Sequence, residues 1–207
     1  MQMEHYFSSE PTTKKIETEV SFEVDGVRFD MAAASGTFSS TKLDAGTKVL
    51  LSHTSMLPKD GTVLDLGCGW GPIGIVIAAL CPASKVHAVD INQRSIEQTR
   101  ANADRIGLPN LSICLAEDLP TDLKFDAIWS NPPIRIGKVA LHELLSAYIP
   151  RLGDGGRAVF VVQKNLGADS LIRWLAEEYP DHMVSRIGTA KTYRIIEVAN
   201  PAKSQNK

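Results

Sequence analysis

Between residues 15 and 24 the chain alternates, with Ile16, Thr18, Val20, Phe22 and Val24 at every second position, the period of a strand with one buried face. Asp25-Gly26 then leads into residues 27–31, where Val27, Phe29 and Met31 repeat the alternation, so the pattern predicts a β-hairpin closed by a two-residue turn. After a loop over Gly36–Ser40, residues 43–57 read as a helix, ended by Pro58 and a turn at Lys59-Asp60-Gly61. From Thr62 the rhythm changes. Strands are predicted over 62–66, 85–90, 111–116, 125–130 and 157–163, and helices over 71–81, 92–107, 138–152 and 170–179. An Asp154-Gly155-Gly156 turn precedes the fifth of these strands, and residues 182–188 and 192–199 read as two further strands joined by a short turn, hence antiparallel to each other.

Strands alternating with helices of this length imply an α/β fold, with a mainly parallel sheet covered on both faces. Ligands of such sheets bind beyond the carboxyl ends of the strands, where the strand order reverses. Two strand exits carry unusual chemistry. The first is DLGCGWGPIG, residues 65–74, in which Gly67, Gly69 and Gly71 allow a tight turn and close approach of a ligand to backbone, and Pro72 suits a first helical turn. Its partner is Asp90 at the end of the next strand, which either accepts hydrogen bonds from the hydroxyls of an adenosine ribose or caps the helix that follows. One strand later, Glu117 or Asp118 can accept an adenine amino group or can simply face water. Asp65 distinguishes the cofactor: an acid before the glycines repels a pyrophosphate but can receive the ammonium of a methionine moiety.

The second unusual exit is Asn131-Pro132-Pro133. Two prolines supply no N–H, and Pro132 drives Asn131 out of the helical region, so the strand must end there. An exocyclic amine is a poor nucleophile because its lone pair is delocalised. The Asn131 side-chain oxygen and a stiffened Pro132 carbonyl can accept its two N–H groups and turn its lone pair toward an electrophilic methyl. No strong base is needed, since the nitrogen becomes acidic once methylated. Alignment in a dry pocket is able to supply roughly 7–11 kcal/mol of barrier reduction.

Composition narrows the picture. With 207 residues the chain is long enough for one buried core, and 22 basic against 24 acidic residues leave a formal charge of −2, so any nucleic-acid contact must rest on a local patch. Cys68, Cys81 and Cys114 are scattered and fit a reducing compartment, and the histidines show no ligand spacing, so no metal is expected. The polar N-terminus lacks an apolar signal region and no stretch reaches about 20 apolar residues, so no membrane is expected and a cytoplasmic location is.

The stretches VLDLGCGWGPIG and NPPIRIGK, together with Asp90, resemble class I S-adenosylmethionine-dependent methyltransferases, specifically the RsmC-like small-subunit ribosomal RNA guanine-N2 methyltransferases in their stand-alone, single-domain branch. HYFSSEP, FSSTKLDAGTKVLL and KTYRIIEV extend the resemblance over nearly the whole chain. It implies a Rossmann-like domain over 1–200, with the hairpin and helix at 14–57, a core at 62–199 and a disordered tail at 201–207. It implies S-adenosyl-L-methionine as cofactor, held by Asp65, Gly67, Gly69 and Gly71 on the methionine side, by Asp90 at the ribose and by Asp118 at the adenine. The target amine would lie on Asn131 and Pro132, bordered by Pro133 and Arg135, with Phe38 and Asp44 covering cofactor or base; Phe38 is equally readable as core. Tyr6 and Phe7 either stack on a base or staple the terminus. Arg135, Lys138, Lys164, Lys191 and Arg194 fall at strand exits where phosphates could be met. Ribosomal RNA or the small ribosomal subunit would be the partner and a monomer the favoured state, with N-methylation of a protein glutamine or of adenine, or a non-catalytic RNA-binding assembly role, as alternatives.

Overall fold

The computed structural model describes residues 14–202; Tyr6, Phe7 and most of the expected tail lie outside them. The alternating N-terminal segments form a two-stranded antiparallel sheet, β1 (Glu17–Val24) and β2 (Val27–Ala34), with Val24 opposite Val27 across the Asp25-Gly26 turn. Next comes a short helix α1 (Ala45–Leu51), narrower than the expected 43–57: Asp44 caps it, Ser52 ends it, and Thr54–Met56 is a separate 3-10 turn.

Seven strands make the main sheet. In chain order they are β3 (Asp60–Leu66), β4 (Ala83–Asp90), β5 (Leu111–Leu115), β6 (Phe125–Ser130), β7 (Leu152–Gln163), β8 (Met183–Ala190) and β9 (Tyr193–Ala199). In space they run β5-β4-β3-β6-β7-β9-β8, with parallel pairing through β7 and antiparallel pairing of β9 with β7 and with β8; the mainly parallel sheet and the antiparallel β8–β9 pair are as the sequence pattern predicts. Helices α2 (Pro72–Leu80), α3 (Gln93–Ile106), α4 (Lys138–Tyr148) and α5 (Ala168–Glu178) connect them. Two further boundaries differ from expectation for identifiable reasons. Pro150 cannot continue α4, so Ile149–Arg151 tightens into a 3-10 turn instead of a helix running to 152. The expected turn at 154–156 is absorbed into β7, where the ladder with β6 jumps from Phe125↔Leu152 to Ala127↔Arg157.

Alternate residues of each strand feed two cores. Val63, Trp129, Val159, Val161 and Ile195 face the hairpin, α1 and α2 on one side of the sheet; Leu64, Ile128, Phe160 and Ile196 face α4 and α5 on the other. A buried polar side chain of α3 ties the hairpin to the rest of the fold. Asn102 of α3 is 0% exposed; its Oδ1 accepts the Ala32 N–H at 2.9 Å, and its Nδ2 donates to the carbonyls of Ala32 at 2.8 Å and Trp70 at 2.9 Å. It continues the outer edge of β2, whose backbone groups are otherwise buried without a ladder partner.

Replacing that amide with a methyl leaves those groups unsatisfied. Asn102→Ala should therefore lower the unfolding free energy by about 2–5 kcal/mol, on the cost of buried unpaired donors and acceptors, as read from urea denaturation. A loss within error of zero would show that the hairpin is held by other means.

Candidate active site

The strand order reverses between β3 and β6: β3 leads outward through β4 to β5, whereas β6 leads through β7 to the antiparallel pair. A cavity of about 650 Å³ opens there, at the carboxyl ends of the strands, as open α/β sheets provide. On one side it is lined by Gly67, Asp90, Ile91 and Ala116, on the other by Asn131, Pro133, Arg135, Gln163 and Tyr193. A side chamber of about 20 Å³, room for about one water, shares Phe38, Asp44, Gly67 and Asn131 with it and reaches Gly69. Asn131 sits at the junction of the two.

The glycine loop and the two acids form one hydrogen-bonded unit. Asp90 Oδ2 accepts the Gly69 N–H and its Oδ1 the Asn92 N–H, each at 2.9 Å. Asn92, not Asp90, caps α3, through an N–H of Arg94, so the capping role considered for Asp90 belongs two residues on. Burial pushes the Asp90 carboxyl above its ordinary range against the pull of these backbone donors. Asp65 is wholly buried: its Oδ2 accepts the Gly74 N–H at 2.7 Å, and its Oδ1 has no partner among the described residues. It lines neither chamber. A buried carboxylate oxygen left open behind a glycine loop suits a cationic group such as an ammonium, reached directly or through a water, and the residues present therefore fit an adenosine cofactor bearing an amino acid.

Gly71 stands apart. It caps α2 with φ 93°, and a Cβ there would meet Thr99 Cγ2 at 2.8 Å, so its place in the fold is the contact between α2 and α3 and not the cavity wall. Glu117 and Asp118 are exposed on the 3-10 turn after β5, directly beside Ala116, which lines the cavity.

At the N-P-P turn the backbone closes tightly. The Ile134 N–H donates to the Pro132 carbonyl at 2.8 Å around Pro133, with φ −75° and ψ 71°, which is an inverse γ-turn. One lone pair of that carbonyl is thus used locally and the other is free. The Asn131 amide nitrogen is 2.9 Å from Asp44 Oδ2 and 3.0 Å from the Thr47 hydroxyl. Asp44, expected as a cover for cofactor or base, also caps α1 through the N–H groups of Gly46 and Thr47, at 2.7 and 3.1 Å. Phe38 is 42% exposed and lines both chambers, so it is not core.

Of the strand-exit cations, only Arg135 lines the cavity; Lys138, Lys164 and Lys191 are exposed outside its wall, and Arg194 is 9% exposed within the sheet. Sequence reasoning missed Thr47, Gln163 and Tyr193. The available signal was topological: a strand antiparallel to β7 starts at the end where β7 finishes, which brings Tyr193 opposite Gln163. Among the described residues no group of His, Cys, Asp and Glu could hold a metal, and no helix is long and apolar enough to cross a membrane.

With this strand order and a cavity at its reversal, the molecule falls in the Rossmann-like methyltransferase class. Residues 28–197 match the family described as methyltransferase small domain, and the chain belongs to that family. It is 33% identical over 197 residues to the uncharacterised protein YbxB of Bacillus subtilis, covering 94% of this chain and 97% of that one. It is also 33% identical over 166 residues to ribosomal RNA small subunit methyltransferase C of Haemophilus influenzae, covering 77% of this chain but only 49% of the relative. The corresponding protein of Acinetobacter baumannii is 36% identical over 120 residues, 56% of this chain and 35% of the relative. Among solved structures, the T. thermophilus 16S rRNA N2 G1207 methyltransferase in complex with AdoMet and guanosine superimposes with a TM-score of 0.76 at 21% identity, over 92% of this chain and 52% of that one.

Burial raises the Asp65 carboxyl to about 7, with the charge of Asp90 adding to it and the Gly74 hydrogen bond opposing it. An acid whose folded pKa lies above its unfolded value of about 4 binds an extra proton when folded, so its contribution to stability falls as pH rises between the two and is level above about 7. The melting temperature of the protein should accordingly drop between pH 5 and pH 8 relative to Asp65→Asn. Parallel pH profiles for the two proteins would contradict the assignment.

Proposed function

We propose that the protein transfers the methyl group of S-adenosylmethionine to an exocyclic amine, guanine N2 of small-subunit (16S) ribosomal RNA, and does so in the cytoplasm. One observation carries this reading: a single cavity joins the Gly67 and Asp90 side, suited to an adenosine cofactor, to a strand end that offers two fixed oxygen acceptors, Asn131 Oδ1 and the Pro132 carbonyl.

When bound, S-adenosylmethionine supplies an electrophilic methyl. The chain does the rest by placement. With it in place, Asp90 would hold the ribose, the buried Asp65 would compensate the amino acid cation, and Ile91, half-exposed on the wall, would offer an apolar face to the adenine. Asn131 and Pro132 each accept one N–H of the target amine and so set the direction of its lone pair. Tyr193 and Phe38 are the aromatic rings among the lining residues, and they suit a planar base extruded from its stack. The relatives named as ribosomal RNA methyltransferases, of which the match spans 49% and 35%, support RNA as the substrate. Charge supports it too: Lys42, Arg135, Lys138, Lys164 and Lys191 are exposed at this end of the sheet, and none has a carboxylate within ion-pair distance among the described residues. Such cations position a phosphate backbone without reading its sequence.

The test is to incubate labelled cofactor with small ribosomal subunits from cells lacking this protein and to digest the RNA to nucleosides. Label should appear as N2-methylguanosine; label in N6-methyladenosine or in protein would contradict the reading. In the same assay Asn131→Ala should slow transfer by about 10²-fold or more, the scale of a misplaced reactant, while leaving cofactor affinity nearly unchanged. Asp90→Ala should instead weaken cofactor binding by about 1.5–3 kcal/mol in calorimetry.

A further inference from the structure

We propose that Asp44 and Thr47 of the N-terminal helix are positioning residues for methyl transfer, acting as a latch that takes both amide hydrogens of Asn131 and leaves its oxygen as the atom offered to the substrate. The proposal rests on the reading of Asn131 as the acceptor for the target amine and adds to it the device that decides which end of that amide faces the cavity.

A primary amide is nearly symmetric in shape. Turned over, Asn131 would present N–H groups to the cavity and would select a carbonyl or ring nitrogen instead of an amine. Asp44 on its far side forbids the turned state, and Thr47 completes the allowed one. An ionised carboxylate only accepts hydrogen bonds, so Asp44 Oδ2, 2.9 Å from the amide nitrogen, pairs with the NH₂ end and repels the oxygen end. The Thr47 hydroxyl, 3.0 Å away, receives the second hydrogen. With two hydrogens and two acceptors, the nitrogen has nothing left to offer a substrate.

The latch is itself braced. The same Asp44 oxygen closes the amino end of α1 by accepting the N–H groups of Gly46 and Thr47, so it cannot swing away without uncapping the helix. Thr47 is 3% exposed. Between them Gly46 leaves the necessary room: a Cβ at that position would lie 2.9 Å from Asp44 Oδ2, 3.0 Å from Tyr193 Cε1 and 3.4 Å from Asn131 Nδ2. Helix, asparagine and the Tyr193 ring of the cavity wall thus meet at the one residue without a side chain. A segment outside the strand-helix-strand core, 84 and 87 residues from Asn131 in sequence, thereby becomes part of the transfer site.

The decisive comparison is Thr47→Val, which keeps the shape and removes the acceptor, against Thr47→Ser, which keeps the hydroxyl. Thr47→Val should lower kcat at least tenfold with the affinity for S-adenosylhomocysteine and the melting temperature nearly unchanged, and Thr47→Ser should recover most of the lost rate. Independently of any substrate, the Asn131 side-chain amide protons of the wild type should exchange slowly with solvent in ¹⁵N-resolved NMR, and Thr47→Val should speed that exchange at least tenfold. Fast exchange in the wild type, or a Thr47→Val protein with unaltered exchange, overturns the latch. So does a fall of kcat, cofactor affinity and melting temperature together, which marks a structural role. A wild type that leaves guanine N2 unmethylated contradicts the functional reading alone, because the exchange measurement still judges the latch.

Discussion

Two hydrogen bonds determine what the cavity offers a substrate. With its nitrogen held by Asp44 and Thr47, Asn131 can only accept at the cavity, and the γ-turn behind it fixes the Pro132 carbonyl beside that acceptor. A pair of immobile acceptors at a strand end is complementary to an NH₂ group, which donates two hydrogen bonds. On the proposed reading, placement of the nitrogen against an activated methyl carries the chemistry, and no strong base is needed.

The rest of the fold sets that pair across one cavity from the glycine loop. Reversal of strand order between β3 and β6 parts the loops after the two strands and opens the cavity. The glycine loop after β3 is clamped to Asp90 by the Gly69 N–H, and Gly74, in the first turn of α2, holds Asp65 beneath it. On the substrate side, the antiparallel return of β9 places Tyr193 opposite Gln163, and both line the cavity wall together with Asn131. The hairpin and α1 lie over one face of the sheet, with Asn102 closing the hairpin edge and Asp44 closing the active strand end. The N-terminal segment is thus joined to the core by polar side chains at both of its ends.

The fold was largely legible because its signals are local: the alternation in the hairpin, the strand-helix rhythm from Thr62, and the short turn that makes β8 and β9 antiparallel. Misread boundaries arose where tertiary pairing overrode a local cue, as at Asp154-Gly155-Gly156, which β6 draws into β7. Site residues divide along the same line. Gly67, Asp90, Asn131 and Arg135 stand at strand ends and reach the cavity, as their positions indicate. Gly71 matches a motif spacing yet serves packing against Thr99. After β5 it is Ala116 that lines the cavity, while Glu117 and Asp118 are exposed beside it on the 3-10 turn. The bonds from Asp44 and Thr47 to Asn131 have no sequence signature, since nothing in a helix cap shows what its spare acceptor will meet.

The most direct test is a crystal structure of the protein with S-adenosylhomocysteine and guanosine 5′-monophosphate. The account predicts the guanine N2 within hydrogen-bond distance of both Asn131 Oδ1 and the Pro132 carbonyl, the cofactor sulfur on the Gly67 side of the cavity, and the Asn131 amide nitrogen still on Asp44 and Thr47. A guanine seated away from Asn131, or an amide turned over to donate to the base, would contradict it.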